Sequence, residues 1–352
     1  MDYYCSQGHR RAVASIAVTG ASGVVGKRVV RQLVERENVD QIVALDRRRS
    51  GQTHPILTEH QVDLMGGDVA AALDGCDSII HLAEDQARRT DPAVAAATLD
   101  RVLSLAEEAS CGHLVLLSSA LVYGAHPDNP VPISETQPLR PVNALVYAST
   151  KADLEARAAQ WAERTGAVVV VLRPTATLSE GDSSWIGAAL RAATAVRSEQ
   201  VDPPVQFLHH DDLACALALA AERRLHSAYN VAPDGWIGAE LFRALRGEAD
   251  LRLPQQLSEW RLRAAKSLAN RSLLDGLEPY VSHPWVVAND KLRSAGWEPT
   301  YSNEEAFVAG TPPPLLASLN PQRRQELALG VAGTAGAAAV GAALWLARKT
   351  VR

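Results

Sequence analysis

Thr19-Gly20-Ala21-Ser22-Gly23-Val24-Val25-Gly26 decides how this chain folds. The stretch follows an apolar run at residues 15–19 (SIAVT) and opens an apolar-periodic segment at 24–37. That order reads as strand, turn and helix, the context that gives a glycine fingerprint its meaning. Gly20 permits the tight turn, Gly23 lets the backbone approach a pyrophosphate, and Gly26 lets helix and strand pack closely. Ser22, Val24 and Val25 complete the loop. Beyond it, a helix N-terminus offers free N–H groups and a partial positive charge to phosphates.

Working outward, apolar runs alternate with helix-like segments. Strands are expected at 41–46 (QIVALD), 61–64, 77–82 (DSIIHL), 113–119 (HLVLLSS) and 167–173 (AVVVVLR). Helices are expected at 92–110 and 142–164. Continuous apolar strands separated by helices predict an α/β fold, a doubly wound parallel sheet covered on both faces, with ligands at the strand carboxyl ends. After Arg173 the pattern is less regular. A helix is expected at 184–197, a strand at 205–208, a helix at 211–224 and a short strand at 229–231. Residues 232–310 read as a smaller mixed lobe.

Asp46 ends the second strand, 20 residues after Gly26. An acid there bonds the hydroxyls of an adenosine ribose and repels a 2′-phosphate, which favours NAD. Arg47, Arg48 and Arg49 follow at once and can instead hold that phosphate, so NADP stays open. Asp63 and Leu64 are expected beside the adenine.

Tyr147-Ala-Ser-Thr-Lys151 places a phenol and an ammonium one helical turn apart, on one face. A free tyrosine ionises near pH ~10, and an adjacent ammonium favours the phenolate and makes it a usable acid/base. Ser119, at the end of the fifth strand in LLSSALVYG, can bond a substrate oxygen and aim it at Tyr147; Ser118 is the weaker candidate. Tyr123 reads as pocket wall. His209-His210-Asp211-Asp212 has poor metal geometry, and Asp211 or Asp212 is expected to cap the following helix. No metal site is expected. Trp185, Trp236, Trp260 and Trp285 are expected in the lobe core, and the basic amphipathic stretch 260–271 on a solvated helix face.

Together TGASGVVG, Asp46, HLA at 81–83, SSALVYG, YASTK and LRP at 172–174 resemble the extended short-chain dehydrogenase/reductase superfamily. Within it they look like the NAD-dependent epimerase/dehydratase family, and the similarity continues through FLHHDDLA, YNVA and NDKLRSAGWEP to about residue 310. The resemblance implies a Rossmann-type domain at 12–180 with a return segment at 203–231, and a smaller C-terminal substrate lobe from 181–202 and 232–310. It implies that Ser119, Tyr147 and Lys151 are catalytic. Leu82, Ala83 and Pro174 join the glycine loop, Asp46, Arg47, Asp63, Leu64, Tyr147 and Lys151 in holding the cofactor. A homodimer through a four-helix bundle is also implied.

Three departures bear on the reaction. Residues 91–110 lack the asparagine that the family often uses to hold a water. Ala120-Leu121 stands where sugar 4,6-dehydratases carry Asp-Glu. Residues 175–181 (TATLSEG) replace the asparagine and Tyr-Gly-Pro turn of nucleotide-sugar enzymes. The reading is hydride exchange at a C–OH/C=O centre of a small-molecule substrate, of the sugar-epimerase type. A hydroxysteroid-dehydrogenase-like enzyme acting on a lipid-like substrate is the alternative, and a nucleotide-sensing scaffold without turnover the third.

The net charge of −5 gives no basic field for nucleic acid. Four separated cysteines without a CxxC pair argue against a disulfide scaffold and fit a reducing compartment. The N-terminus lacks the apolar core of a secretory signal, so a cytoplasmic catalytic domain is expected. Thr-Pro-Pro-Pro at 311–314 begins a linker, 311–326. The uncharged stretch 327–347 (LALGVAGTAGAAAVGAALWLA), with small residues at 333, 337 and 341, is an added hydrophobic C-terminal helix. It is expected to associate with a membrane, with a soluble packing helix as the other option.

Overall fold

A computed structural model describes residues 14–66, 69–84, 91–180, 182–183, 203–245 and 271–311. Residues up to Gly310 form one compact unit, and Thr311–Arg352 a second. Past Thr311 the second unit lies outside the described residues, with the expected linker and hydrophobic tail. So do the expected helix at 184–197, the basic stretch up to residue 270, and Trp185 and Trp260. Among the described residues no helix is long and apolar enough to cross a membrane.

The first unit is built on β1 (Ala14–Thr19), α1 (Val24–Val34), β2 (Val39–Asp46), β3 (Leu57–Gln61), β4 (Ser78–His81), α2 (Pro92–Glu108), β5 (His113–Leu117), α3 (Val146–Thr165) and β6 (Val168–Pro174). It continues with β7 (Ala176–Ser179), β8 (Asp182–Ser183), β9 (Phe207–His209), α4 (His210–Glu222) and β10 (Ser227–Val231). Seven strands make one parallel sheet in the order β10-β6-β5-β4-β1-β2-β3. The chain runs outward from β1 to β3, then returns to β4 on the other side of β1. That reversal opens a crevice beyond the carboxyl ends of β1 and β4, where ligands bind in such sheets.

Strand alternation sorts the core into two layers. Ile16, Val18, Ile42 and Val170 pack with Val29 and Leu33 of α1 and Leu213 and Leu217 of α4. Ala17, Val43, Leu45 and Ile79 face the other way, against Leu99 and Val102 of α2 and Leu154 and Trp161 of α3. Each fully buried aliphatic side chain contributes roughly 1.5–3 kcal/mol.

The third strand lies at Leu57–Gln61, not at 61–64. It is an edge strand of half-exposed polar residues, whereas the more apolar segment that follows sends Leu64 into the core. The second long helix begins at Val146, because residues 142–145 form a turn leading into it.

The unit has a further core, drawn from residues 120–148 as well as 205–307, and a small sheet, β8-β7-β9, of which only the strand expected at 205–208 was read from the sequence. All three phenylalanines of the chain meet there: Phe207 lies 5.8 Å from Phe242 and 5.1 Å from Phe307 between ring centroids. Their elements are β9, α5 (Ala239–Leu245) and α8 (Asn303–Ala309); α6 (Arg271–Ser282) and α7 (Asp290–Ser294) lie between the last two. Trp285 is in this core, as expected, but Trp236 is exposed.

Candidate active site and cofactor cradle

The glycine loop joins β1 to α1 at the crevice. Gly20 sits at φ +73°, a region that disfavours side chains, and a Cβ there would fall 2.7 Å from the Leu82 carbonyl and 2.8 Å from the Ala83 nitrogen. A Cβ on Gly26 would stand 2.2 Å from the Gly20 carbonyl oxygen. Helix and strand touch backbone to backbone only because both residues are glycine. No side chain caps α1 and no acid occupies its first turn, so its N–H groups face the crevice without a competing carboxylate. Val25 turns inward to the core while Val24 is exposed. The buried Ser22 hydroxyl has no hydrogen-bond partner among the described residues. Loop, helix end and hydroxyl together fit a dinucleotide pyrophosphate. Replacing Gly26 with alanine is expected to cost about 1–3 kcal/mol of unfolding free energy. Gly112→Ala, where an added Cβ meets nothing, is expected to stay within about 0.5 kcal/mol. Urea unfolding of the two variants checks this contrast.

Asp46 is fixed at the end of β2 by two backbone donors. The Ser22 N–H reaches Oδ2 at 2.9 Å and the Arg48 N–H reaches Oδ1 at 3.0 Å. A recess of about 180 Å³ beside it is lined by Ser22, Asp46, Arg48, Arg49, Ser50 and Glu59, among others. Arg48 and Arg49 line this recess, and Arg47 does not. Glu59 adds a second carboxylate, held by the N–H and hydroxyl of Ser50. Asp63 closes a turn by accepting from the Met65 N–H at 3.0 Å, and Leu64 is buried in the core.

The second half of the site lies at the ends of β4 and β5. Ser119 follows β5, is 7% exposed, and accepts a weak hydrogen bond from the Leu121 N–H at 3.3 Å. Tyr147 and Lys151 share one face of α3, with the lysine Nζ 5.5 Å from the centre of the tyrosine ring. The Lys151 ammonium donates to the Leu117 carbonyl at 3.1 Å and pairs with Glu84 at 2.9 Å. Burial opposes its charge, but Glu84 and Tyr147 outweigh that and hold it well above the usual lysine range. A cleft of about 590 Å³ opens over Tyr147 and Lys151, lined also by Leu82, Ala83, Glu84 and Thr98, among others; Ser119 does not line it. His81 bonds Thr19 at 2.9 Å and lines the same cleft; burial first, then Lys151, pushes its imidazole down to about 4.

A buried polar network begins at Ser118, next to Ser119 in the chain. Ser118 donates to Glu155, which is bound twice by Arg173, at 2.6 and 3.1 Å. Arg173 also donates to the Tyr123 hydroxyl at 2.8 Å, which in turn donates to Asn230. Ser118 is thus tied into the network, whereas Ser119 sits at the strand end. Tyr123 is 1% exposed and belongs to this network, not to a pocket wall.

The His-His-Asp-Asp turn is structural as well. His209, not either aspartate, caps α4 by accepting from the Asp211 N–H at 3.2 Å. Asp211 pairs with Arg28 at 2.9 Å, and Asp212 accepts the Thr300 and Tyr301 N–H groups. Pro174 ends β6 in register with Val231. Sequence reasoning missed Glu84 and Glu59. Glu84 had a signal, since a carboxylate at the end of a central parallel strand sits where ligands bind.

Several solved structures share the fold. The UDP-glucose 4-epimerase of Thermus thermophilus in complex with NAD is 19% identical, with a TM-score of 0.60, covering 84% of this chain and 97% of that one. The UDP-glucose 4-epimerase of Thermotoga maritima with UDP-glucose is 17% identical, with a TM-score of 0.61 and coverage of 84% and 97%. The dTDP-glucose 4,6-dehydratase of Bacillus anthracis in complex with NAD is 16% identical, with a TM-score of 0.61 and coverage of 85% and 95%. None of the curated proteins matches the sequence. A family model described as NAD dependent epimerase/dehydratase matches residues 16–232, more than half of the chain. Glycine cradle, strand-end carboxylate and Tyr-Lys pair all fall within that match, and the chain belongs to the NAD dependent epimerase/dehydratase family.

Proposed function

We propose that the chain binds NAD and inverts a hydroxyl-bearing carbon of a nucleotide sugar. The observation that carries this reading is the Lys151 ammonium 5.5 Å from the Tyr147 ring in the cleft at the ends of β4 and β5. Ser119 orients the substrate oxygen, and Tyr147 takes the hydroxyl proton and later returns it. Lys151 favours the phenolate by its charge. NAD, when bound, supplies the acceptor that takes a hydride from the carbon and gives it back. Ala120 and Leu121 after Ser119 are buried and hold no acid or base, which disfavours dehydration. The nucleotide-sugar assignment draws on the similar epimerase of Thermotoga maritima, whose structure holds UDP-glucose.

Incubating the protein and NAD with UDP-glucose, UDP-galactose and dTDP-glucose tests the reading. One of them is expected to yield an epimer without NADH accumulating. NADH rising in step with substrate loss would contradict the return of the hydride.

Asp46, held at the end of β2 by the Ser22 and Arg48 N–H groups, supports NAD over NADP, because a carboxylate there accepts from ribose hydroxyls and repels a 2′-phosphate. Asp46→Ala is expected to weaken NAD binding about tenfold or more, the value of a lost charge-assisted hydrogen bond, while leaving NADP binding nearly unchanged. Titration with each nucleotide reads the ratio, and equal losses would overturn the ribose assignment.

A further inference from the structure

Glu84 stands directly after the His81-Leu82-Ala83 strand end, and its carboxylate lies 2.9 Å from the Lys151 ammonium. The lysine side chain is 9% exposed and the glutamate 30%, so the pair closes the buried end of the lysine while the carboxylate still borders the cleft. An ammonium has three N–H donors. The Leu117 carbonyl and Glu84 engage two of them, which leaves one directed by this clamp.

Among the described residues the remaining charged groups around Lys151 are few. Tyr147 and Glu155 come from its own helix, and Glu84 and the neutral His81 come from the end of β4. From β5 it meets only the Leu117 carbonyl. Glu155 is already neutralised by two bonds from Arg173. Glu84 is therefore the charge that offsets the lysine's field where Tyr147 feels it.

We propose that Glu84 is a positioning residue that clamps Lys151 and attenuates its field, so that Tyr147 gives up its proton at a higher pH than the lysine alone would set. This rests on the reading of Tyr147 and Lys151 as the acid/base pair. A site tuned this way keeps Tyr147 a phenol near neutral pH until a positively charged ligand enters the cleft. Proton removal is then coupled to loading of the site.

Tyrosinate absorbance against pH tests this on the 352-residue chain without any substrate. The difference between each background and its Tyr147→Phe counterpart isolates the one phenol, with far-UV circular dichroism confirming the fold at each pH. Glu84→Gln is expected to lower the ionisation pH of Tyr147 by about one unit. Glu84→Asp, which keeps the charge, is expected to retain most of the wild-type value. Lys151→Met is expected to raise it. No shift in Glu84→Gln while Lys151→Met still moves Tyr147 overturns the clamp and leaves the acid/base pair intact. An unmoved Tyr147 in Lys151→Met overturns the pair itself.

Discussion

Tyr147→Phe is expected to lower turnover by about 10²–10⁴-fold, the usual worth of a positioned general acid/base. The fold and the affinity for NAD are expected to be retained. The substitution removes one oxygen from a half-buried ring that packs against the core containing Leu145 and Ala148. Phenylalanine keeps that packing, so the loss is confined to the proton. The assay uses whichever nucleotide sugar the wild-type chain converts, with NAD titrated in parallel. A variant within tenfold of wild type would mean that the proton is carried elsewhere.

The largest effect on stability is expected at Glu155. Its carboxylate and the Arg173 guanidinium are each 8% exposed and joined by two hydrogen bonds. Removing one partner of a buried pair leaves the other charge uncompensated and costs about 3–5 kcal/mol. Glu155→Ala also strands the Ser118 hydroxyl, directly beside Ser119. The unfolding midpoint in urea is expected to fall accordingly, and Glu155→Gln, which keeps an acceptor, is expected to fall less. A change below about 1 kcal/mol in the alanine variant would mean that water enters the network.

Most of the sheet was legible because its signals are local. The apolar run of β1, the three glycines and the inward periodicity of α1 are read within twenty residues, and the Tyr-Lys pair within one helical turn. β3 escaped because an edge strand has little apolar face to show. Leu57-Thr58-Glu59-His60-Gln61 looks like a loop until β2 supplies its hydrogen-bond partners. The pairing in the small sheet escaped for another reason, although the strand expected at 205–208 overlaps β9. β7 and β9 are three or four residues each and pair across an intervening segment, so nothing in either strand announces the other. The cap of α4 fell to His209 because the two aspartates beside it serve distant partners, Arg28 and the 300–301 backbone. Glu84 could be placed at a strand end from sequence. Its pairing with Lys151 depends on how α3 lies across β4 and β5.

The most direct test of the account is the nucleotide that the protein carries. The chain is purified without added cofactor and denatured, and the released small molecules are identified by mass spectrometry. About one NAD per chain is the result that hydride return on a retained cofactor predicts. A chain that releases no nucleotide, and takes up neither NAD nor NADP on titration, would contradict it.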